Sequence, residues 1–245
     1  IVRADAAGFV VLKRVEDAMR DGDTILAVIK GSATNSDGHS NGLTAPNPEA
    51  QVDVLRRAYA DAGVDPHEVD LVEAHGTGTI LGDPIEVAAL GEVLGRGRET
   101  AAPLLLGSAK SNIGHSESAA GVVALIKVLE ALKHDTIPES INFAGPNHYV
   151  DFDAERIEVV QDPREWPRYS GRRVAGVSGF GFGGTNAHVV VADYDPADYD
   201  LEATETEAAF EGVSVAALPV SGLLPSRRKE AAGVLADFLE CRADA

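Results

Sequence analysis

The chain has 245 residues, of which 44% are hydrophobic, enough for one large domain or for one domain and a linker. Its formal net charge of −18 argues against nucleic acid or an anionic membrane as the main partner. The apolar runs are short and interrupted, so no transmembrane segment is predicted, and the first residues, IVRADAAGFVVL, lack the pattern of a signal peptide. A single cysteine, Cys241, is consistent with a cytoplasmic protein without disulfides.

The first elements along the chain are a strand and a helix. Residues 24–34, TILAVIKGSAT, are rich in β-branched side chains and predict a strand. A helix is predicted next, with Asn47 as its N-cap, Pro48 at the first helical position and Gly63 after its end.

Further strands and helices alternate after this pair. Residues 69–75, VDLVEAH, predict a short buried strand that ends at a histidine, and a helix from Asp83 to Leu94 follows. A second apolar strand is predicted over residues 103–110, and then a helix to about Lys133 with Ser116 as its N-cap.

Two last strands, over residues 172–181 and 186–193, are joined by glycines. Alternating strands and helices with apolar, mainly non-alternating strands are typical of an α/β fold.

The composition changes after the last strand. Residues 191–211 carry eight acids and no Lys or Arg, without helical or strand periodicity, so they predict a solvated connector. Beyond it, the pattern predicts a short strand, a turn and an amphipathic helix. We therefore predict a body over residues 1–192, an acidic connector over 193–215 and a terminal segment over 216–245.

Glycine-rich sequences follow three of the strands, and in α/β sheets functional sites gather at the carboxyl ends of strands. His75 and His115 each lie just after such an end, and Lys110 precedes the second histidine by five residues. A histidine beside a lysine and before a helix N-terminus is kept neutral, and a neutral imidazole can donate its N–H to a developing oxyanion. The alternative for His115 taken alone is a histidine that caps its own turn.

Two other kinds of site fit the sequence less well. The histidines are forty residues apart with no further ligand pattern nearby, which argues against a metal site. The glycines of GFGFGG, residues 179–184, match G-x-G-x-x-G, but a β-branched stretch follows them where a dinucleotide site needs a helix. We expect a hairpin instead, with Phe180 and Phe182 near the site and free backbone N–H groups available as an oxyanion hole. His188, within the last strand, is predicted to be structural.

These stretches carry a family resemblance. VEAHGTGTILGDPIE, GSAKSNIGHSESAAGVVALIK and GVSGFGFGGTNAHVV resemble the three C-terminal signatures of the β-ketoacyl synthases, specifically the ketosynthase domains of type I polyketide synthases. The resemblance covers residues 1–192, and residues 216–245 look like the start of the linker to an acyltransferase domain. Within the family, SINFAGPNHYVDFDAERIEVV is most similar to the mycobacterial synthases that condense two long acyl chains into mycolic acids.

The resemblance implies a thiolase-like fold of α/β/α/β/α layers made of two similar halves, and this chain would be the C-terminal half. The family usually forms homodimers. The resemblance also implies that His75 and His115 are the two histidines of a Cys–His–His triad and that Lys110 is its supporting lysine. Thr77 and Thr79 match threonines that contact the phosphopantetheine arm of an acyl carrier protein. Phe182 matches the residue whose N–H completes the oxyanion hole and whose ring gates the pocket. No cofactor bound by the chain itself is implied.

The nucleophilic cysteine of the family, in a D-T-A-C-S motif, is missing from the sequence. We expect it upstream, and Cys241 is not its replacement because it lies beyond the acidic connector. The implied reaction is a decarboxylative Claisen condensation of an acyl thioester with a carboxyacyl extender on an acyl carrier protein, and the 245 residues alone are expected to be inactive. The alternative is a non-catalytic ketosynthase-like scaffold.

Overall fold

A computed structural model describes residues 1–38, 46–199, 229, 232 and 233. The chain divides into two units after Tyr199, and the β-sheet structure belongs to the first unit, Ile1–Tyr199. Cys241, most of the predicted amphipathic helix and most of the acidic connector lie outside the described residues.

The described residues form a six-stranded mixed sheet. Its strands, in sheet order, are β1 (Val28–Ser36), β8 (Thr185–Ala192), β7 (Val174–Phe180), β2 (Leu71–Glu73), β3 (Leu104–Gly107) and β5 (Ile157–Val159). The last four strands of this order run parallel, whereas β8 is antiparallel to both of its neighbours. A separate antiparallel pair is formed by β4 (Thr136–Ile137) and β6 (Arg164–Glu165). The parallel centre of the sheet brings the carboxyl ends of β7, β2 and β3 together at one edge.

Helices cover both faces of the sheet. The α-helices of the first unit are α1 (Val15–Asp21), α2 (Pro48–Ala62), α3 (Gly82–Leu90), α4 (Lys110–Ile113) and α5 (Ala120–His134), of which α2, α3 and α5 pack on the strands. Side chains of α2 and α3 pack with one face of the strands, and those of α5 pack with the other, which gives two separate hydrophobic clusters. The central strands are therefore apolar on both faces, as their sequences predicted.

The local signals around α2 are confirmed. Asn47 accepts hydrogen bonds from the backbone N–H groups of Glu49 and Ala50, and Gly63 ends the helix with a φ of 61°. Likewise, β7 and β8 form the antiparallel hairpin expected from the glycine-rich sequence, which rules out a helix after GFGFGG.

The structure corrects one helix boundary. Ser116 makes no hydrogen bond as an N-cap, because a 3₁₀ turn over Glu117–Ala119 intervenes and α5 begins only at Ala120. The short helix α4, which begins at Lys110, was not predicted; four residues are too few to leave a periodic pattern in the sequence.

The body extends slightly into the predicted connector. After β8, Arg172 forms ion pairs with Asp193 and Asp198, at 2.9 and 2.5 Å, which hold residues 193–199 against the sheet. No helix among the described residues has the length and apolar character needed to span a membrane.

Candidate active site

The candidate site lies where β2, β3 and β7 end side by side. His75 follows β2 by two residues, Lys110 and His115 lie at the two sides of α4 just after β3, and Phe180 ends β7. Because these three strands are parallel neighbours, residues more than a hundred positions apart meet at one edge of the sheet.

The two histidine rings are direct neighbours. Their centroids are 5.5 Å apart and their planes are nearly perpendicular, at 86°. The ring of Phe180 lies on another side of His75, also with a centroid distance of 5.5 Å. The pair of histidines predicted from two separate strand ends is thus brought together by the fold.

A buried carboxylate fixes the backbone at His75. Glu86, on α3 and 4% exposed, accepts hydrogen bonds from the N–H of His75 at 2.7 Å and from that of Gly76 at 2.8 Å. Gly76 has a φ of 44°, a conformation that favours glycine, and this turn allows both N–H groups to point to one side chain.

The next turn of this segment is held in the same way. Asp83 accepts from the N–H groups of Gly78 and Thr79 at 3.1 and 3.3 Å. The Thr79 hydroxyl accepts from the N–H of Gly82, and the Thr77 and Thr79 hydroxyls lie 3.5 Å apart. The two threonines are therefore ordered side by side next to the histidine.

His115 is oriented by backbone contacts. Its Nδ1 atom accepts a hydrogen bond from the N–H of Glu117 at 3.2 Å, so in the neutral ring the proton must be on Nε2. Its own N–H donates to the carbonyl of Val2, and its carbonyl accepts from the N–H of Ala4. Nε2–H is left as the donor that His115 can offer to a substrate.

Both histidines are held neutral. Burial is the largest effect that lowers the pKa of His75, to about 3, followed by the charges of Lys110 and His115. The pKa of His115 is lowered mainly by burial and next by Lys110. The direction agrees with the sequence-based expectation, but burial is the larger cause in place of the helix dipole. Two neutral imidazoles next to a cation can act as hydrogen-bond donors without transferring a proton.

The pKa values of Lys110 and Glu86 are shifted in opposite ways relative to free side chains: that of Lys110 is lowered and that of Glu86 is raised. Burial lowers the pKa of Lys110, while the carboxylates of Glu86, Glu73 and Asp83 raise it. Burial raises the pKa of Glu86 to about 7, against the hydrogen bonds it accepts from the backbone. Titratable groups whose pKa values are perturbed this strongly cluster at functional sites.

A cavity of about 510 Å³ opens beside these groups. Thr77, Lys110 and His115 line it, and its walls continue over apolar side chains such as Val87, Leu106 and Phe152. The cavity has the size and the mixed lining of a ligand site, with a few polar groups among apolar ones.

Two other predicted residues lie differently from the histidines. Phe182 occupies the turn of the hairpin with its ring 77% exposed, and its N–H makes no hydrogen bond within the described residues. Phe180 is the phenylalanine that contacts a catalytic candidate. His188 is fully buried, and its two ring nitrogens are within 2.9 Å of the hydroxyls of Ser178 and Tyr59, so it is part of the core.

Sequence reasoning missed the buried carboxylates, Glu73 and Glu86. A signal was present for the first: Glu73 interrupts an apolar strand, LVEA, just as Lys127 interrupts the apolar helix VVALIKVL. Opposite charges at two such positions indicate a buried pair. No comparable local signal marks Glu86, whose partners are backbone N–H groups.

Comparisons with known proteins identify the family of the chain. Residues 26–144 match the family described as "Beta-ketoacyl synthase, C-terminal domain", and residues 146–241 match "Ketoacyl-synthetase C-terminal extension". The chain belongs to the β-ketoacyl synthase family and has its thiolase-like α/β fold. More narrowly, it is the C-terminal part of a ketosynthase, with the extension, of a type I polyketide synthase.

The relatives found are large synthases. The chain is 52% identical to a phenolphthiocerol/phthiocerol polyketide synthase of Mycobacterium tuberculosis over 98% of this chain and 12% of that protein. It is 48% identical to pikromycin polyketide synthase component PikAII of Streptomyces venezuelae over 82% of this chain and 5% of that protein. The chain therefore spans a small fraction of the length of these relatives.

Solved ketosynthases have the same fold. The ketosynthase from module 6 of the bacillaene synthase of Bacillus subtilis 168 matches with a TM-score of 0.69 and 40% identity, over 75% of this chain and 33% of that one. An oxazolomycin ketosynthase domain of Streptomyces albus matches with a TM-score of 0.70 and 39% identity, over 75% and 32% of the two chains.

Proposed function

We propose that the chain supplies the two histidines of a decarboxylative Claisen condensation. The observation that carries the proposal is the contact between two neutral imidazoles, His75 and His115, at the ends of adjacent parallel strands. The extender thioester loses CO₂, and the electron pair of the broken C–C bond forms an enolate whose oxygen receives the two N–H donors. Such stabilisation of developing charge is the largest catalytic effect available to a site of this kind.

The remaining steps complete the transfer. The enolate carbon attacks the carbonyl of an acyl thioester on a cysteine, and the tetrahedral oxyanion collapses with release of the cysteine thiolate. The new C–C bond leaves a β-ketoacyl thioester on the carrier. We expect the cysteine from a segment other than the 245 residues, and the N–H of Phe182 beside it as an oxyanion-hole donor, with the Phe182 ring as the gate.

The carrier substrate is an acyl carrier protein with a phosphopantetheine arm. We propose that the hydroxyls of Thr77 and Thr79 bond the amides of the arm, which is supported by Thr77 lining the cavity and by the 3.5 Å between the two hydroxyls. We further propose a homodimer through the ketosynthase and an acyltransferase domain as its neighbour in the polypeptide.

The identity of the acyl substrates is a finer proposal. The sequence resemblance favours condensation of two long acyl chains in mycolic acid assembly, whereas the relatives of the chain include phthiocerol and pikromycin synthases. A competition between a long-chain carboxyacyl extender and methylmalonyl on the carrier separates these: preference for the long-chain extender supports the mycolic-acid proposal, and preference for methylmalonyl rejects it.

The test of the reaction separates loading from condensation. In the complete ketosynthase, His75→Ala and His115→Ala should each reduce condensation by about 10²–10³-fold while acyl-enzyme still forms, because the donors act on the enolate. The acyl-enzyme is measured by intact-protein mass spectrometry and condensation by product formation. Normal condensation in either variant rejects the assignment. A wild-type enzyme that never acquires an acyl group would favour the non-catalytic scaffold.

A further inference from the structure

A second buried carboxylate lies beneath the site. Glu73, the last residue of β2 and two residues before His75, is 1% exposed. Its Oε1 atom accepts a hydrogen bond from the N–H of Ala109 at 2.5 Å, directly before Lys110. Its Oε2 atom accepts from Nζ of Lys127 at 2.6 Å. One side chain thus contacts the segment of Lys110 and the helix α5, which begins five residues after His115.

Gly107, which has no side chain, leaves space for the Glu73–Lys127 pair. Gly107 pairs with Glu73 across the β2–β3 ladder, and a Cβ atom added there would be 3.1 Å from Nζ of Lys127 and 3.6 Å from the carboxylate. Gly107 and Ser140 both line the cavity, and the same Cβ would be 3.7 Å from Oγ of Ser140. The charged pair therefore lies directly under the cavity floor.

Removal of either Glu73 or Lys127 would leave the charge of the other without its partner. A carboxylate as buried as Glu73 is stable only if its charge is paired and hydrogen-bonded, and the side chain of Lys127 is itself only 16% exposed. Surface ion pairs elsewhere in the molecule, such as Arg56–Glu92, have partners that solvent already stabilises.

We propose that Glu73 and Lys127 form a positioning pair that holds the Lys110 and His115 segments against His75 in the geometry that condensation needs. The proposal rests on the proposed function. It differs from a purely structural ion pair because the carboxylate joins the strand that leads to His75 to the residue before Lys110 and to the helix that follows the His115 turn.

The pair also sets the charge around Lys110. The groups that face Lys110 are Glu73 on β2, Glu86 and Asp83 on α3, Lys127 on α5 and the two histidines. Loss of the Glu73 charge would remove one of the carboxylates that raise the pKa of Lys110, so this pKa would fall further. The alkaline limb of the pH profile of condensation, where Lys110 loses its proton, should then move to lower pH.

The experiment uses the complete ketosynthase with Glu73→Gln, which keeps an acceptor for the Ala109 N–H but removes the charge. We expect condensation to fall by about 10- to 100-fold with loading near the wild-type level, since small displacements of catalytic groups have effects of this size. Lys127→Arg should retain most of the wild-type rate, because it keeps the cation. Glu155→Gln is the matched control: Glu155 pairs with Arg96 on another side of the fold and should leave both activities unchanged.

A double variant without either charge keeps the test interpretable if a single variant misfolds. Glu73→Gln/Lys127→Met removes both charges at similar volume and should fold even if Lys127→Met alone, with its unpaired buried carboxylate, does not. Folded variants with a wild-type ratio of condensation to loading and an unshifted pH profile would overturn the positioning role. So would equal losses of both activities in proportion to the folded fraction. A wild-type enzyme that loads but does not condense rejects the proposed function itself.

Discussion

The segment that carries His75 and the turn that carries His115 differ in what holds them. Glu86 and Asp83, only a few positions further along the chain, bind four N–H groups of residues 75–79. The His115 turn, by contrast, is held by backbone bonds to residues 2–4 and by an exposed ion pair between Arg3 and Glu117. The His75 segment is thus held by side chains close to it in the sequence, and the His115 turn by a distant and exposed part of the chain.

The two histidine segments therefore differ in which contacts determine their geometry. His75 begins a loop whose backbone N–H groups are bonded by Glu86 and Asp83, so its geometry depends on these two side chains of α3. The His115 turn includes two residues with positive φ, Gly114 at 82° and Glu117 at 50°, of which the second is strained for a residue with a side chain. Its geometry persists because the surrounding contacts enforce it.

The largest expected effect is at Glu86. Glu86→Ala leaves the N–H groups of His75 and Gly76 without their acceptor in a buried place, so the free energy of unfolding of the ketosynthase should fall by about 3 kcal/mol or more. Urea unfolding followed by circular dichroism measures the loss. Glu92→Ala, further along the same helical segment but exposed, is the control and should have a small effect. Equal losses in the two variants would contradict local anchoring of the His75 segment.

The second prediction concerns how the stability contributed by Glu86 depends on pH. Burial raises the pKa of Glu86 from 4.5 to about 7, so between pH 7 and 4.5 the folded state takes up a proton that the unfolded state does not. The free energy of unfolding contributed by this residue should therefore rise as the pH falls through that window, by up to about 1.4 kcal/mol per pH unit. The difference between wild type and Glu86→Gln isolates it, because the histidines titrate in both. A pH-independent difference would contradict the raised pKa.

The third prediction tests the His115 turn. Gly114→Ala puts a side chain at a φ of 82° and a Cβ atom 2.9 Å from the carbonyl oxygen of Val2, so it should destabilise the turn by about 1–2 kcal/mol. Gly121→Ala, in α5 with open space around it, should instead stabilise the protein by up to about 1 kcal/mol. Hydrogen exchange at His115 and Ala4 would report loosening of the turn in the first variant alone. Unchanged exchange there would show that residues 2–4 do not hold it.

The smallest expected effect is at the exposed pair. Arg3→Ala removes an ion pair whose side chains are 79% and 54% exposed, and such pairs contribute little to stability. Condensation and thermal stability should stay at wild-type levels, measured by product formation and melting temperature. A clear loss would mean that the Arg3 side chain, and not only the backbone beside it, orients His115.

The sequence by itself determined most of the local structure and singled out the candidate histidines. Asn47 and Gly63 fix the two ends of α2 through short-range hydrogen bonds and a positive φ, which are encoded within a few residues. The β-branched stretch after GFGFGG predicted a hairpin for the same reason. His75, Lys110 and His115 could be singled out because glycine-rich sequences after apolar strands mark the functional edge of an α/β sheet.

Only the tertiary structure decided which side chains meet at that edge. Burial of Glu86 depends on the packing of α3 over the sheet, and no local sequence signal marks it. Phe180 and not Phe182 contacts His75, because strand pairing turns one ring inward while the hairpin turn leaves the other exposed. The contacts of the His115 turn with residues 2–4 likewise join positions more than a hundred apart, and no local pattern could encode those contacts.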